Sequence, residues 1–285
     1  MLCYGGGSIK SNGVYQQVMD ALSAHTVVEF SGIEPNPEYD TLMRAVVAVK
    51  THDIDFILAV GGGSVIDGCK FIAAAAVFPG EPWDILAKAE PVADAMPLVV
   101  VLTLPATGSE TNFYSVVSSR QTGDKLHFFA EALFPRFAIL DPTVTYTLPA
   151  RQVANGVVDA FTHTIEQYLT YPVGGHLQDR FAEGILLTLI EDGPKALTAP
   201  QNYTVRANVM WCATMALNGL IAAGVPQDWS THMIGHQLTA QYGLDHAQTL
   251  AIVLPNMMWH QRVQKRDKLL QYAERVWGLD VSGDA

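Results

Sequence analysis

Asp159 and His163 stand four residues apart in Asn155-Gly156-Val157-Val158-Asp159-Ala160-Phe161-Thr162-His163, and His232 and His236 repeat that spacing. On a helix, positions i and i+4 share one face, so each pair can reach a common point. His246 opens the next segment, across a bend expected at Gly243. Three imidazoles and one carboxylate from three helices make an N3O set suited to Zn²⁺ or Fe²⁺, with positions left for water or substrate. A lone Asp-x3-His pair carries little weight, because about 0.5 such pairs arise by chance at this composition. Asp228 and His232 form another, and Asp228 reads as a helix N-cap. A single buried histidine is ordinarily a hydrogen-bonded core residue. The weight rests on the set: of nine histidines, about two-thirds lie in the second half, and three crowd between 232 and 246. His176 and His260 lack matching partners and read as surface or interface residues.

A second chemistry is phosphate binding. In Ala59-Val60-Gly61-Gly62-Gly63-Ser64-Val65-Ile66-Asp67, a buried strand meets a triple-glycine turn and then a helix, with Ser64 and Asp67 resembling a capping box. Glycines let a pyrophosphate approach the backbone, and the free N–H groups of a helix N-terminus bind it without net positive charge. The spacing is neither G-x-G-x-x-G nor a Walker A sequence, so a plain strand-to-helix turn would also explain it. A second Gly-Gly-Gly-Ser run at Gly5–Ser8 follows a strand-like stub. In a dinucleotide fold an acidic residue there would hold the ribose 2′-OH; Gly7, Ser8 and Lys10 stand there instead, with no carboxylate nearby, which favours NADP. Thr103-Leu104-Pro105-Ala106-Thr107-Gly108-Ser109-Glu110 ends a further strand with hydroxyl and glycine residues, where parallel sheets place ligands. Lys125 follows in another polar turn.

The elements that must position these residues divide in two. Up to about residue 146, short β-type runs (Ile54–Val60, Val99–Leu104, Phe137–Leu140) alternate with helical stretches (Tyr39–Lys50, Ser64–Val77), the signature of a parallel α/β sheet. Beyond it come helices at about 150–170, 176–191, 202–220, 228–242, 246–259 and 262–277. Gly193-Pro194, Gly224-Val225-Pro226 and Gly243 are expected to punctuate them. The expected domains are therefore 1–146, an α/β dinucleotide-binding domain, and 147–285, an all-helical metal and substrate domain. Met210, Trp211, Met215, Met257, Met258 and Trp259 fall at helical spacing and read as core. The tail Gly278–Ala285 reads as polar. Met1-Leu2-Cys3-Tyr4 runs straight into glycines, and both ends are expected to be shortened.

The 285 residues carry 17 basic and 28 acidic side chains, a net charge of −11, with 49% hydrophobic content. That excludes disorder and argues against nucleic acid or an anionic membrane surface as partner. No apolar stretch approaches the ~20 residues of a spanning helix, and the opening residues show no basic n-region followed by an apolar h-region. Cys3, Cys69 and Cys212 are odd in number and far apart, so neither a disulfide framework nor a cysteine zinc site is expected; a cytoplasmic setting fits.

Together, GGGSVIDGCK at 61–70, TLPATGSE at 103–110, the Asp159/His163 helix and the His232-x3-His236-x9-His246 array resemble the iron-containing (group III) alcohol dehydrogenases, with a look of the bacterial NADPH-dependent aldehyde reductases and butanol dehydrogenases. The likeness runs over essentially the whole chain. It implies an α/β dinucleotide domain followed by a helical metal domain, with the active site in the cleft between them. By the resemblance the metal ligands are Asp159, His163, His232 and His246, while the catalytic His236 lies beside the substrate. Cofactor contacts fall on Gly6, Gly7, Ser8, Gly62, Gly63, Ser64, Asp67, Thr103, Thr107 and Lys125. The implied reaction is hydride transfer between NADP(H) and short-chain aldehydes or primary alcohols, at one divalent ion, Zn or Fe, in a homodimer. A glycerol-dehydrogenase-like polyol oxidoreductase is the nearest alternative. A metal-dependent hydrolase, which uses such an ion to activate water, would leave both glycine runs unexplained.

Overall fold

The computed structural model describes residues 1–283; of the tail, Asp284 and Ala285 lie outside the described residues. The chain forms two compact units, one of Met1–Pro105 with Ser109–Thr147, the other starting at Leu148 and taking in Ala106–Gly108.

The first unit is built on β1 (Leu2–Tyr4), β2 (Glu29–Phe30), β3 (Ile57–Gly62), β4 (Leu98–Leu104) and β7 (Ala138–Leu140). They form a sheet in the order β2-β1-β3-β4-β7, parallel throughout. Its helices are α1 (Ser8–Ser11), α2 (Val14–Ala21), α3 (Tyr39–Thr51), α4 (Gly63–Val77) and α5 (Asp84–Ala87). Central strands of a parallel sheet are covered on both faces, so β3 and β4 read as near-continuous apolar runs and are largely buried. Leu2, Tyr4, Ile9, Val14, Val18 and Val60 pack β1 and β3 against α1 and α2. The alternating segments expected from the sequence are present, with the strand at 54–60 shifted to Ile57–Gly62.

Sequence patterning did not anticipate an antiparallel hairpin of β5 (Tyr114–Ser119) and β6 (Asp124–Phe129). Its turn contains Gly123 at φ +74°, a conformation glycine adopts without a Cβ clash.

The second unit is helical: α6 (Ala150–Tyr168), α7 (His176–Thr198), α8 (Tyr203–Ala216), α9 (Ser230–Tyr242), α10 (His246–His260) and α11 (Arg266–Arg275). The fold class is thus the expected one, a parallel-sheet domain followed by a helical one. Two apolar clusters centre on α6: Ile165, Tyr168 and Leu169 with Leu186, Leu254 and Tyr272, and Ala160 with Leu189, Ala213 and Ala216.

Two expectations fail here. Gly193-Pro194 does not end a helix, because α7 runs through both residues. A Cβ on Gly193 would lie 2.8 Å from Val157 Cγ1, so the glycine permits close packing on α6, and burial of Leu189 and Ala196 on either side outweighs the lost backbone bond at Pro194. Trp211 and Trp259 are not core: they are 60% and 69% exposed, whereas Met210 is buried.

No described helix is long and apolar enough to cross a membrane. All three cysteines are free and buried.

Candidate functional site

The histidine set lies entirely in the helical unit. Asp159 and His163 occupy the buried face of α6, one turn apart. His232 and His236 do the same on α9, which ends at Gly243 with φ +66°, the left-handed C-cap expected there. His246 is the first residue of α10, held by a reciprocal capping box between Asp245 and Gln248. Asn155 Nδ2 donates to Asp245 Oδ2 at 3.0 Å, linking that cap to α6. Gly235 sets the spacing of α9 and α10: a Cβ there would fall 2.9 Å from Thr249 Oγ1. Asp228, expected at the N-cap of α9, stands one residue before it, the N-cap being Trp229; its carboxylate accepts from Ser230 N at 3.1 Å and pairs with Lys265.

These elements bring three imidazoles to one carboxylate oxygen. Asp159 Oδ1 is 3.6 Å from His163 Nε2, 3.8 Å from His232 Nε2 and 3.6 Å from His246 Nε2. All three separations exceed hydrogen-bond length. Ligands about 2.1 Å from a tetrahedral ion stand about 3.4 Å apart, close to these spacings. Asp159 Oδ1 and His232 Nε2 are buried without a hydrogen-bond partner among the described residues, a costly state unless something else satisfies them. The donor set therefore fits a divalent cation. Asp159, His232 and His246 offer ligand atoms all within 4.8 Å of one another; that group does not include His163, which lies beside Asp159 and stacks on His232 with ring centroids 4.5 Å apart. His236 is buried too, its ring 5.2 Å from that of His246 and 6.3 Å from that of His232.

Electrostatics separate the imidazoles. Burial pushes His163 down to about 4, against the pull of Asp159, so its ring stays neutral with a lone pair to offer. Burial acts the same way on His232, but the carboxylates of Asp159 and Glu166 outweigh it and raise the group to about 9. Asp159 itself is held well below the usual carboxylate range, because the three imidazoles outweigh its own burial. Glu166, buried on α6 and absent from the sequence-based candidates, contacts His232 Nδ1. Its i,i+3 spacing from His163 was the available signal, but on a helix of unknown orientation that is an ordinary polar position.

In the first unit, β3 passes into α4 with no intervening loop. Gly62 is the N-cap and Gly63 the first helical residue. A Cβ at Gly61 would lie 2.6 Å from Val65 Cβ, and one at Gly62 2.9 Å from Leu104 Cβ, so the chain needs glycine at both. The expected capping box is absent. Ser64 Oγ instead accepts from Asn36 N at 3.2 Å, and the Asp67 carboxylate accepts from Ser109 Oγ at 2.5 Å and Val116 N at 3.0 Å. Asp67 is thus engaged by the β4–β5 connection and β5. Gly6 follows β1, Gly7 caps α1 at φ +96°, and Ser8 begins that helix. Thr103 is buried on β4, and Thr107 lies in the short segment grouped with the second unit. Lys125, on β6, donates to Asn36 Oδ1 at 2.8 Å.

One premise of the NADP expectation is corrected. The fold brings a carboxylate to Gly7–Lys10 from the neighbouring strand: Glu29 Oε2 is 3.7 Å from Lys10 Nζ. Tyr4 and Tyr15 hydroxyls donate to its two oxygens, at 2.7 Å each. Strand pairing created this proximity, which linear spacing does not reveal.

Comparison with known proteins agrees with this architecture. Residues 1–142 match the family model "Iron-containing alcohol dehydrogenase", and residues 153–283 match "Fe-containing alcohol dehydrogenase family, C-terminal". The chain is 63% identical to the NADPH-dependent aldehyde reductase YqhD of Escherichia coli, over 100% of its own length and 74% of the relative. It is 43% identical to a probable NADH-dependent butanol dehydrogenase of Bacillus subtilis, covering 99% of this chain and 74% of that protein. A crystal structure of E. coli YqhD superposes with a TM-score of 0.98, over 99% of this chain and 73% of that one. That of NADH-dependent butanol dehydrogenase A from Thermotoga maritima, 37% identical, superposes with 0.96, over 99% and 72%.

Proposed function

The chain belongs to the iron-containing alcohol dehydrogenase family and is an alcohol and aldehyde oxidoreductase; from that premise we propose that it reduces short-chain aldehydes to primary alcohols with NADPH, at a metal held by Asp159, His163, His232 and His246. The observation that carries the metal set is the convergence of three imidazole nitrogens on the unpartnered, buried Asp159 Oδ1. Zinc and iron both suit three nitrogens and one oxygen.

When bound, the cation supplies Lewis acidity toward a carbonyl oxygen and the reduced nicotinamide supplies the hydride. The protein's residues do the rest. Asp159 stays ionised and offsets part of the cation's charge, while neutral His163 contributes a lone pair. Burial of Asp159, His163, His232 and His236 keeps bulk water from competing for the same positions. His236, beside His246 and assigned here no ligand role, is the group to pass a proton to the product oxygen. In the first unit, the α4 N-terminus beyond Gly62 offers backbone N–H groups to a pyrophosphate. Gly6, Gly7, Ser8, Gly63, Ser64, Thr103, Thr107 and Lys125 complete the proposed cofactor contacts; Asp67 holds β5 in place beside them.

The choice of NADPH draws on Lys10, half exposed one turn from Gly7, and on the name of the 63%-identical relative. The relatives named as NADH-dependent set the alternative. Three free cysteines support a reducing, cytoplasmic setting, while a homodimer rests on family likeness alone. The test follows reduced-nicotinamide absorbance with butanal. Consumption of NADPH faster than NADH, with no oxidation of glycerol, is the expected result. A preference for NADH would overturn the cofactor choice, and glycerol oxidation exceeding that of butanol would overturn the substrate class.

A further inference from the structure

Glu166 lies one turn beyond His163 on α6 and is buried. Its carboxylate is spent on α9. Oε1 accepts from Thr231 N at 2.6 Å and from His232 N at 3.3 Å, and Oε2 contacts His232 Nδ1. Backbone N–H groups can only donate, so Oε1 must accept. With Oε1 taken by two backbone donors, Oε2 is the acceptor left for the ring, which places the shared proton on Nδ1. The other ring nitrogen, Nε2, faces Asp159 Oδ1, 3.8 Å away, and is the one left to bind a cation.

We infer that Glu166 is a positioning residue: it clamps the α9 backbone and the His232 ring together, fixing the tautomer and direction in which Nε2 is offered to a cation. This rests on the four-ligand reading above and adds a fifth residue to it. The chemistry requires acceptors at both ends of the side chain. Glutamine has the same shape but brings an NH2 group, and in either amide orientation that group meets a donor. Facing Nδ1, it forces the ring proton onto Nε2 and blocks the lone pair; facing Thr231 N, it breaks the clamp. Orienting partners of this kind are worth 10–100-fold in metal affinity.

The experiment measures Co²⁺ and Zn²⁺ affinity by chelator competition, with the visible Co²⁺ spectrum as a second readout. The expected result for Glu166→Gln is a 10–100-fold loss of affinity and an altered Co²⁺ spectrum, with Glu166→Asp falling between it and the wild type. Both changes should vanish when the same substitution is made on His232→Ala, because a residue acting through His232 has nothing left to position. Affinity within twofold of wild type in Glu166→Gln, or an equal further loss on the His232→Ala background, would overturn the inference. Should Glu166→Gln not fold, ¹⁵N shifts of the histidine rings in the metal-loaded wild type decide: a proton on His232 Nδ1 supports the clamp, and one on Nε2 overturns it. Wild-type protein that takes up neither ion would overturn the ligand set itself, and the inference with it.

Discussion

At the scale of single residues, the division of labour among four histidines follows from what surrounds Asp159. His163 Nε2 lies as near to Asp159 Oδ1 as His246 Nε2 does, and its ring is held neutral by burial. His163→Ala should therefore lose both metal and turnover, whereas His236→Ala should keep its metal while turnover falls by roughly 10²-fold, the lower range for a lost proton-transfer group. Elemental analysis after desalting, beside kcat for butanal, separates the two; a His163→Ala enzyme with full metal and activity would remove it from the ligand set. The histidine array was legible because i,i+4 spacing survives any arrangement of helices. Glu166 was not legible, since nothing in its own helix says that α9 will cover it, and Glu29 was missed because only the pairing of β1 with β2 brings it to Lys10.

At the scale of elements, α4 does more than open a glycine-lined cradle. Lys70, midway along it and fully buried, donates to Ser109 Oγ and Asn112 Oδ1 at 2.9 Å each and to the Tyr114 carbonyl at 2.8 Å. It thereby fastens the β4–β5 connection and the start of the hairpin, while Asp67 holds β5 one turn earlier. Burial lowers Lys70 from 10.5 to about 8, despite the carboxylates of Asp67 and Glu110. Between those values the unfolded chain binds more protons than the folded one, so this lysine makes unfolding free energy rise with pH across that window and leaves it unchanged below. Lys70→Met should cost about 2–3 kcal/mol at pH 7, because three acceptors, two of them buried, lose their donor. The deficit should widen as pH climbs from 8 to 10.5, read by urea unfolding at a series of pH values; a constant deficit would show that the buried charge is not strained. The hairpin that Lys70 secures escaped notice because Ser115, Val117 and Ser119 face inward with small or polar side chains, which blurs the period-2 contrast that marks a half-buried strand. Helix α7 was cut short for the opposite reason: Gly193-Pro194 is a strong local stop signal that packing on Val157 overrides.

At the scale of the whole chain, the division into a sheet unit and a helical unit was visible in the change from β-branched runs to long 3.6-period segments, while the distances that make a site of the histidines belong to tertiary packing. Those distances tie α6, α9 and α10 together through one point, across 87 positions from Asp159 to His246. A ligand that binds only the folded state stabilises it by RT ln(1 + [L]/Kd), about 4 kcal/mol at a thousandfold excess over Kd. For a unit of this size that corresponds to on the order of 10 °C in midpoint. Stripping the protein with a chelator should therefore lower the melting temperature of the helical unit by roughly that amount, and adding back Zn²⁺ or Fe²⁺ should restore it in a saturable way. The readout is built in. Four of the five tryptophans lie in the helical unit, and Trp229 stands edge-on to His232 with ring centroids 5.4 Å apart and to His163 at 6.1 Å. Its fluorescence should change on metal addition before any heating, and the change should vanish in His163→Ala. A melting curve indifferent to both chelator and metal would mean that Asp159 and its three imidazoles meet for some reason other than holding an ion.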